Sequence, residues 1–306
     1  MDVISGVPQG SVLGPLLFLI FINDLPKSLY SNVRLFAIIY YEVTSADDCQ
    51  VLQNDLLKLM EWEEKWLMSF NPSKCEVLTV TRKRLPIIYD YCMHDQKLNR
   101  VKDTKYLGLT ITSDLNWNKH INQVTGKANQ MLGFVKRNIR TRSENIKTKA
   151  YKALVRPRLE YCASVWDPHT QSATQKVEMV QRRAARYVLR RYHNTSSVSD
   201  MLQQLQWPTL AQRRCCLRLT MIYKITNHIV AIDPTPYMTP HHTSTRTNSL
   251  SFLPYRCNTE AFKHTFFPKS IPQWNNLPNT IVISPSLDTF KTAVSQHIWS
   301  LPSLSF

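Results

Sequence analysis

Ser5-Gly6-Val7-Pro8-Gln9-Gly10-Ser11-Val12-Leu13-Gly14-Pro15 sets three glycines around a Pro-Gln pair and runs directly into Leu16-Leu17-Phe18-Leu19-Ile20-Phe21-Ile22. Glycine lacks a Cβ, so such a segment can bring its backbone close to a ligand, or simply turn tightly. Both readings stay open on local pattern alone. Pro15 suits the first position of a helix, and the apolar run after it is buried nearly all round, ending at Asn23-Asp24 and Pro26. A helix of that kind needs a sheet or another helix to cover it.

Outward from this stretch the pattern alternates between strand and helix. Val33 to Val43 is aromatic and β-branched, a strand or hairpin, and Ser45-Ala46-Asp47-Asp48 opens a helical pattern that runs to about Met68 and stops at Asn71-Pro72. Glu76 to Thr81, Ile87 to Tyr91 and Tyr106 to Thr112 read as strands, so residues 1–112 form a mixed block. From His120 to about Arg191 the pattern is helical and basic, and residues 119–158 carry eleven Lys or Arg against the single acid Glu144. Between Lys176 and Arg191 the apolar residues Val177, Val180, Ala184 and Val188 keep helical spacing while Arg182, Arg183, Arg186 and Arg190 fall elsewhere on the turn, giving one dry face and one cationic face. Residues 231–306 hold nine of the seventeen prolines, which predicts a loosely structured tail with short elements.

A net charge of +16 calls for a polyanionic partner, and its distribution is uneven: residues 1–100 carry 10 basic against 12 acidic groups, residues 101–306 carry 28 against 10. The seven cysteines form no C-x2-C pair, which fits reduced thiols in a cytoplasmic or nuclear setting. Val12 to Ile22 is too short to span a bilayer, and Asp2 stands where a signal peptide would be positive, so no membrane partner is expected. Gly10 and Gly14 copy a membrane dimerisation spacing without the apolar host it needs. The rival reading is a membrane-surface role for the Lys176–Arg191 helix. His241, His242, Cys257 and His264 lack zinc-ligand spacing, and no nucleophile pattern stands out, so no metal and no catalytic residue are expected.

The glycine-rich string resembles the polymerase motif that follows the first catalytic aspartate in reverse transcriptases of non-long-terminal-repeat, jockey-like retrotransposons. In that resemblance Gly6, Pro8, Gln9, Gly10 and Ser11 line the pocket for template base and incoming nucleotide. Phe21-Ile22-Asn23-Asp24-Leu25 is similar to the end of the next helix, Phe36-Ala37 to the start of the Phe-Ala-Asp-Asp box, Asn71-Pro72-Ser73-Lys74-Cys75 to a later palm motif, and Lys105-Tyr106-Leu107-Gly108 to the primer grip. Trp117 with His120, Leu159-Glu160-Tyr161-Cys162 with Val165-Trp166-Asp167-Pro168, and Phe266-Phe267-Pro268 with Trp274-Asn275-Asn276-Leu277-Pro278 resemble the region downstream of the polymerase. The resemblance implies an α+β chain: a partial polymerase palm over 1–112, a basic helical thumb-like region over 113–230 and a Pro-rich segment over 231–306.

Departures from the family pattern bear on the chemistry. Polymerisation uses two divalent ions about 4 Å apart, held by carboxylates, and the family uses magnesium there. Here Phe36-Ala37 is followed by Ile38-Ile39-Tyr40-Tyr41, and isoleucine has no oxygen to offer a metal. The chain also starts after the position of the family's first aspartate, so the expectation is an inactive fragment with no cofactor. Ala46-Asp47-Asp48 copies part of the box, but behind Ser45 both acids fall in the first turn of a helix, where capping is the expected role. Lys74 either serves a triphosphate, as the resemblance implies, or is a solvated turn lysine. What remains is binding of RNA and DNA through Lys127, Lys136, Arg137, Arg140, Arg182, Arg183, Arg186 and Arg190, with Tyr187 and Tyr192 available for base stacking unless Tyr187 belongs to the core. The alternative is a non-enzymatic RNA-binding protein in which only the basic helices matter.

Overall fold

The computed structural model of the chain describes residues 22–34, 38–81, 83–193, 195–241 and 248–301. The glycine-rich string with Gly6, Pro8, Gln9, Gly10 and Ser11, the expected helix from Pro15, and Phe36-Ala37 lie outside them. The chain divides into two compact units, Met1–Asn116 and Trp117–Phe306.

In the first unit Asn32–Arg34 (β1) pairs antiparallel with Ile38–Tyr40 (β2) in a short hairpin, Val33 facing Ile39. Ala46–Trp66 (α1) follows. Its start is written in Ser45, whose side chain accepts from the Asp48 amide while the Asp48 carboxylate accepts from the Ser45 amide, satisfying two donors that an uncapped helix would leave bare. Its end is set by Leu67 in the left-handed conformation. Glu76–Leu78 (β3) runs parallel to Asn99–Val101 (β6), and Cys92–Met93 (β4) pairs with Gln96–Lys97 (β5). Asp103–Tyr106 (β7) and Leu109–Thr112 (β8) form a hairpin across Leu107 (φ 45°) and Gly108 (φ 81°), the two positive φ values that a tight two-residue turn of this hand needs.

These strands correct two expectations. Ile87 to Tyr91 is not a strand, and Tyr106 to Thr112 is not continuous but folds back at Leu107-Gly108. Apolar alternation marked both segments as extended without showing where a turn would interrupt them. Among the described residues the strands pair only two by two. The core of this unit is the apolar side of α1, with Cys49 and Leu59 packed near Tyr91, Met93 and Leu98. The Gln53 side chain clamps Cys92, accepting from its amide at 2.9 Å and donating to its carbonyl at 2.9 Å, which ties β4 to the helix.

The second unit is helical: Asn118–Asn138 (α2), Glu144–Ala150 (α3), a π-helical turn over Tyr151–Val155, Arg156–Glu160 (α4), Ala163–Trp166 (α5), Gln171–Leu189 (α6), Val198–Gln204 (α7) and Leu210–Thr226 (α8). Glu260–Lys263 (α9), Phe266–Asn275 (α10), Asn279–Val282 (α11) and Leu287–Ser300 (α12) complete it. The expected dry face of α6 is real: Val177, Val180, Ala184 and Val188 are fully buried.

Of the loosely structured tail with short elements expected for 231–306, the described residues up to 258 form turns and a bridge between Pro240 and Phe252, but 260–300 is helical and packed. Leu219, Ile222 and Tyr223 of α8 share one hydrophobic core with Ile271 and Trp274 of α10, Val282 of α11, and Phe290, Val294 and Ile298 of α12. Tyr223 stacks on Phe290 at 4.3 Å between ring centroids and its hydroxyl donates to the Ser284 carbonyl. Pro278 and Pro285 stand at helix starts, Pro268 in the first turn of α10 and Pro272 inside it, between the buried Ile271 and Trp274.

Candidate nucleic-acid interface

The longest helices of the second unit, α2 and α6, lie side by side. Their relative direction follows from two polar links: Lys176 Nζ donates to Asn122 Oδ1 at 3.1 Å, and Arg183 Nη1 to Asn129 Oδ1 at 3.0 Å. Both links join residues 54 apart in sequence, so the helices run parallel and in step. One more interval of seven carries the series to Lys136 and Arg190. The stripe 122/129/136 on one helix and 176/183/190 on the other therefore borders the apolar seam made by Ala128, Leu132 and Val135 with Val177, Val180 and Ala184.

Basic groups accumulate along this border. Lys136 is half-buried, and its ammonium is pushed below the usual lysine range by that burial and then by the Arg183 charge beside it. Arg182, Arg183 and Arg190 are exposed, Arg186 is half-buried, and all four lie on the side of α6 away from its dry face. Arg190 itself ends the helix in the left-handed conformation at φ 57°. Arg137 and Arg140 are exposed at the end of α2, with Arg140 Nε donating to the Arg137 carbonyl, a cation at the helix end where the dipole favours one. Lys147, which sequence reading passed over, is buried and donates to the Tyr187 carbonyl at 3.3 Å with its ammonium 4.9 Å from that ring.

Two sequence expectations change here. Tyr187 is a core residue, since it is buried and its hydroxyl donates to the Ile139 carbonyl at 2.6 Å, so it does not offer its ring to a base. Tyr192 is exposed. Lys127 is exposed too, but it stands about two and a half turns before Lys136 and so on the opposite side of α2. The structure thus sets Lys136, Arg183 and Arg190 along the border of the two helices, with Arg182 and Arg186 on the solvent side of α6, Arg137 and Arg140 at the end of α2, and Lys127 on the side of α2 opposite Lys136.

In the first unit, Lys74 is exposed at the end of a single 3-10 turn, Pro72–Lys74, which Asn71 caps by accepting from the Ser73 amide at 3.0 Å. Asp48 is committed to its helix. One carboxylate oxygen accepts from the amide and hydroxyl of Thr44 at 2.8 and 2.7 Å and from the Ser45 amide at 2.8 Å, and these bonds hold its pKa down to about 2. Ile38 and Ile39 are strand residues of β2. Of the carboxylates nearest the box, Asp48 is engaged as a cap while Glu42 and Asp47 are exposed, and among the described residues no three His, Cys, Asp or Glu side chains group as ligands for the magnesium that the resemblance implies. No helix among those residues is long and apolar enough to cross a membrane.

Of the downstream motif residues, Leu159, Trp166 and Trp274 are fully buried, while Tyr161 and Val165 are exposed. His120 packs edge-on against Trp166 at 5.2 Å between centroids, and Asn275 holds Phe252 by both its amide and its carbonyl. Asp167, in the same string as Trp166, is buried and receives Arg214 Nε at 2.6 Å, Lys269 Nζ at 2.5 Å and Arg218 Nη1. Sequence reading missed this cluster. Its one signal was the pair Arg214 and Arg218, four apart on an otherwise apolar side of α8.

Residues 3–111 match the reverse transcriptase (RNA-dependent DNA polymerase) family. The chain is 27% identical over 201 residues to a probable RNA-directed DNA polymerase from transposon X-element of Drosophila melanogaster, covering 61% of this chain and 22% of that protein. It is 28% identical over 207 residues to the RNA-directed DNA polymerase from mobile element jockey of Drosophila funebris, covering 60% and 22%. A probable RNA-directed DNA polymerase from transposon BS of Drosophila melanogaster is 28% identical over 200 residues. The chain thus spans about a fifth of the length of the curated relatives it matches. No solved structure matches it.

Proposed function

We propose that the chain is a portion of a retrotransposon RNA-directed DNA polymerase that binds RNA and single-stranded DNA without polymerising. The observation that carries this reading is the basic border of α2 and α6. Lys136, Arg183 and Arg190 line the seam, with four more cations on the adjoining solvent faces of the two helices, and Lys136 stays there although burial and Arg183 both disfavour its charge. A chain gains little from such repulsion unless a polyanion relieves it. Lysine and arginine at this density contact phosphates and carry little base discrimination, so binding is expected to be weakly sequence-dependent. The lack of polymerisation follows from the first unit, where isoleucines occupy the place of the metal-binding pair and Asp48 is engaged in capping.

The binding test is fluorescence anisotropy of a labelled RNA 20-mer over a salt series. Changing Arg182, Arg183, Arg186 and Arg190 together to Gln is expected to weaken binding and to flatten the log-log salt slope by up to about 0.7 per lost phosphate contact. An unchanged affinity and slope in a variant whose helicity is intact removes this face from the interface. The catalytic test is primer extension on RNA with magnesium or manganese, with none expected. Extension that disappears in Asp47→Ala or Asp48→Ala overturns the inactive reading.

A second reading, a non-enzymatic RNA-binding protein, is favoured by one observation: the basic border lies wholly within Trp117–Phe306, a unit with its own core. Photo-crosslinking separates the two. Crosslinks reaching the first unit, at Lys74 in particular, support the polymerase-derived mode, and crosslinks confined to 117–306 support the other.

A further inference from the structure

Tyr187, in the last turn of α6, and Tyr192, just past its end, are used in opposite ways. Tyr187 is buried, with the Lys147 ammonium 4.9 Å and the Lys136 ammonium 6.0 Å from its ring and its hydroxyl bonded to the Ile139 carbonyl. Tyr192 is 58% exposed, and among the described residues its hydroxyl has no hydrogen bond and its ring no aromatic or cationic partner. A ring of that size left in water forgoes the apolar burial that packing would give it.

The local backbone fixes where this ring stands. Arg190 turns the chain off the helix axis in the left-handed conformation at φ 57°. On the other side, the His193 carbonyl accepts from the Ser196 amide at 3.1 Å and His193 Nδ1 pairs with Thr195 Oγ1 at 2.8 Å. Burial raises the Tyr187 hydroxyl pKa and the Tyr192 hydroxyl adds to that rise, so the two hydroxyls are neighbours. Tyr187 itself reaches the end of α2 through Ile139 and Lys136. Tyr192 therefore stands where the parallel helices α2 and α6 both end, the place that also holds Arg137, Arg140 and Arg190. Its surroundings are one-signed. Between Glu178 and Asp200 the sequence has five arginines and no acid, and Glu178 is occupied by the Leu210 and Ala211 amides.

We infer that Tyr192 is a stacking platform for one unpaired base of a nucleic acid whose phosphates lie on the arginines of α6, and that it makes this surface prefer single strands to duplex. The inference rests on the proposed nucleic-acid binding and adds to it a residue that reads base exposure, where Lys and Arg read only phosphate. In a duplex the faces of a base are covered by its stacked neighbours, so the ring has no partner there. In a single strand a base can splay out, and any base offers its face to a tyrosine.

The probes are a labelled, unstructured RNA 20-mer, the same sequence as a duplex, and an abasic strand of equal length, each titrated with the full chain by fluorescence anisotropy. Tyr192→Ala is expected to weaken single-strand binding by about 5- to 100-fold, the loss of one stacked base. Duplex and abasic affinities and the log-log salt slope are expected to stay as they are, because no phosphate contact is removed. Tyr192→Phe is expected to bind like wild type and Tyr192→Leu like the alanine variant, which separates stacking from apolar contact. Circular dichroism checks that the helices of each variant are intact. Equal single-strand affinity in wild type and Tyr192→Ala overturns the platform and leaves the basic border standing, and so does a loss of the same size on the abasic strand. Wild type that binds none of these probes overturns the border and the platform together.

Discussion

The two units of this chain are built on different terms. Met1–Asn116 carries 12 basic and 14 acidic groups, and among its described residues the strands pair two by two in ladders of two to four residues, with the long helix α1 beside them. Trp117–Phe306 carries 26 basic and 8 acidic groups and surrounds its apolar seams with helices. An isolated two-stranded ladder is marginal in water, whereas aromatic rings stacked between helices remove large apolar areas from it. The difference teaches that, among the described residues, the unit matching the reverse transcriptase family has a small core and near-balanced charge, while the helical unit after it holds most of the positive charge and the larger core.

The sharpest way to break that comparison is Trp274→Ala. This side chain is fully buried, packs near Phe290 and donates its indole N–H to the Leu250 carbonyl at 2.8 Å. Its loss is expected to cost about 3–5 kcal/mol of unfolding free energy in urea titration. A cost under about 1 kcal/mol, ordinary for a surface substitution, would mean that the C-terminal segment is the loose tail its prolines suggest.

Asp55→Ala probes the first unit. Asp55 is fully buried and accepts from the Ser31 amide at 2.6 Å and the Tyr30 amide at 3.1 Å, with Lys58 alongside, and these outweigh the burial that would raise its pKa. Removing it strands two backbone donors, for an expected loss of about 1–3 kcal/mol. Limited proteolysis should show faster cleavage within 22–116 and an unchanged rate beyond. Equal acceleration in both units would show that they do not unfold separately.

Legibility followed the same divide. The cap at Ser45, the helix after it and the dry face of α6 were readable because each depends on neighbours within one or two turns. The break at Leu107-Gly108 was not, because a leucine at positive φ announces nothing in sequence. The tail was misread because proline counts say where helices end, not whether Trp274 and Phe290 meet. For the interface, charge composition gave the basic face of α6, but only the 54-residue offset of the two asparagine links shows which residues of α2 join it. Lys127 and Lys136 looked equivalent in sequence and stand on opposite sides of one helix.

That distinction gives a smaller, sharper test. Lys136→Gln is expected to lower the single-strand salt slope by about 0.7, one phosphate contact, while Lys127→Gln leaves it unchanged. Equal effects from the two would spread the interface around α2 and dissolve the proposed border.

The smallest effect concerns Asp48. Asp48 lies at the surface, so the stabilisation is modest, but its sign is fixed by the capping bonds from Thr44 and Ser45 that hold its pKa at about 2. An unfolded aspartate titrates near 3.9, so between the two values the unfolded chain binds more protons. The contribution is thus fully present above about pH 4 and fades as pH falls toward 2. Asp48→Asn keeps an acceptor and loses the charge, so the stability difference between wild type and variant should shrink across that window and vanish at its lower end. Urea midpoints measured from pH 5 down to about pH 2 give the curve. A difference that stays constant across the window would show that the carboxylate is not engaged by the helix start, and would return Asp48 to the pool of oxygens free to hold a divalent ion.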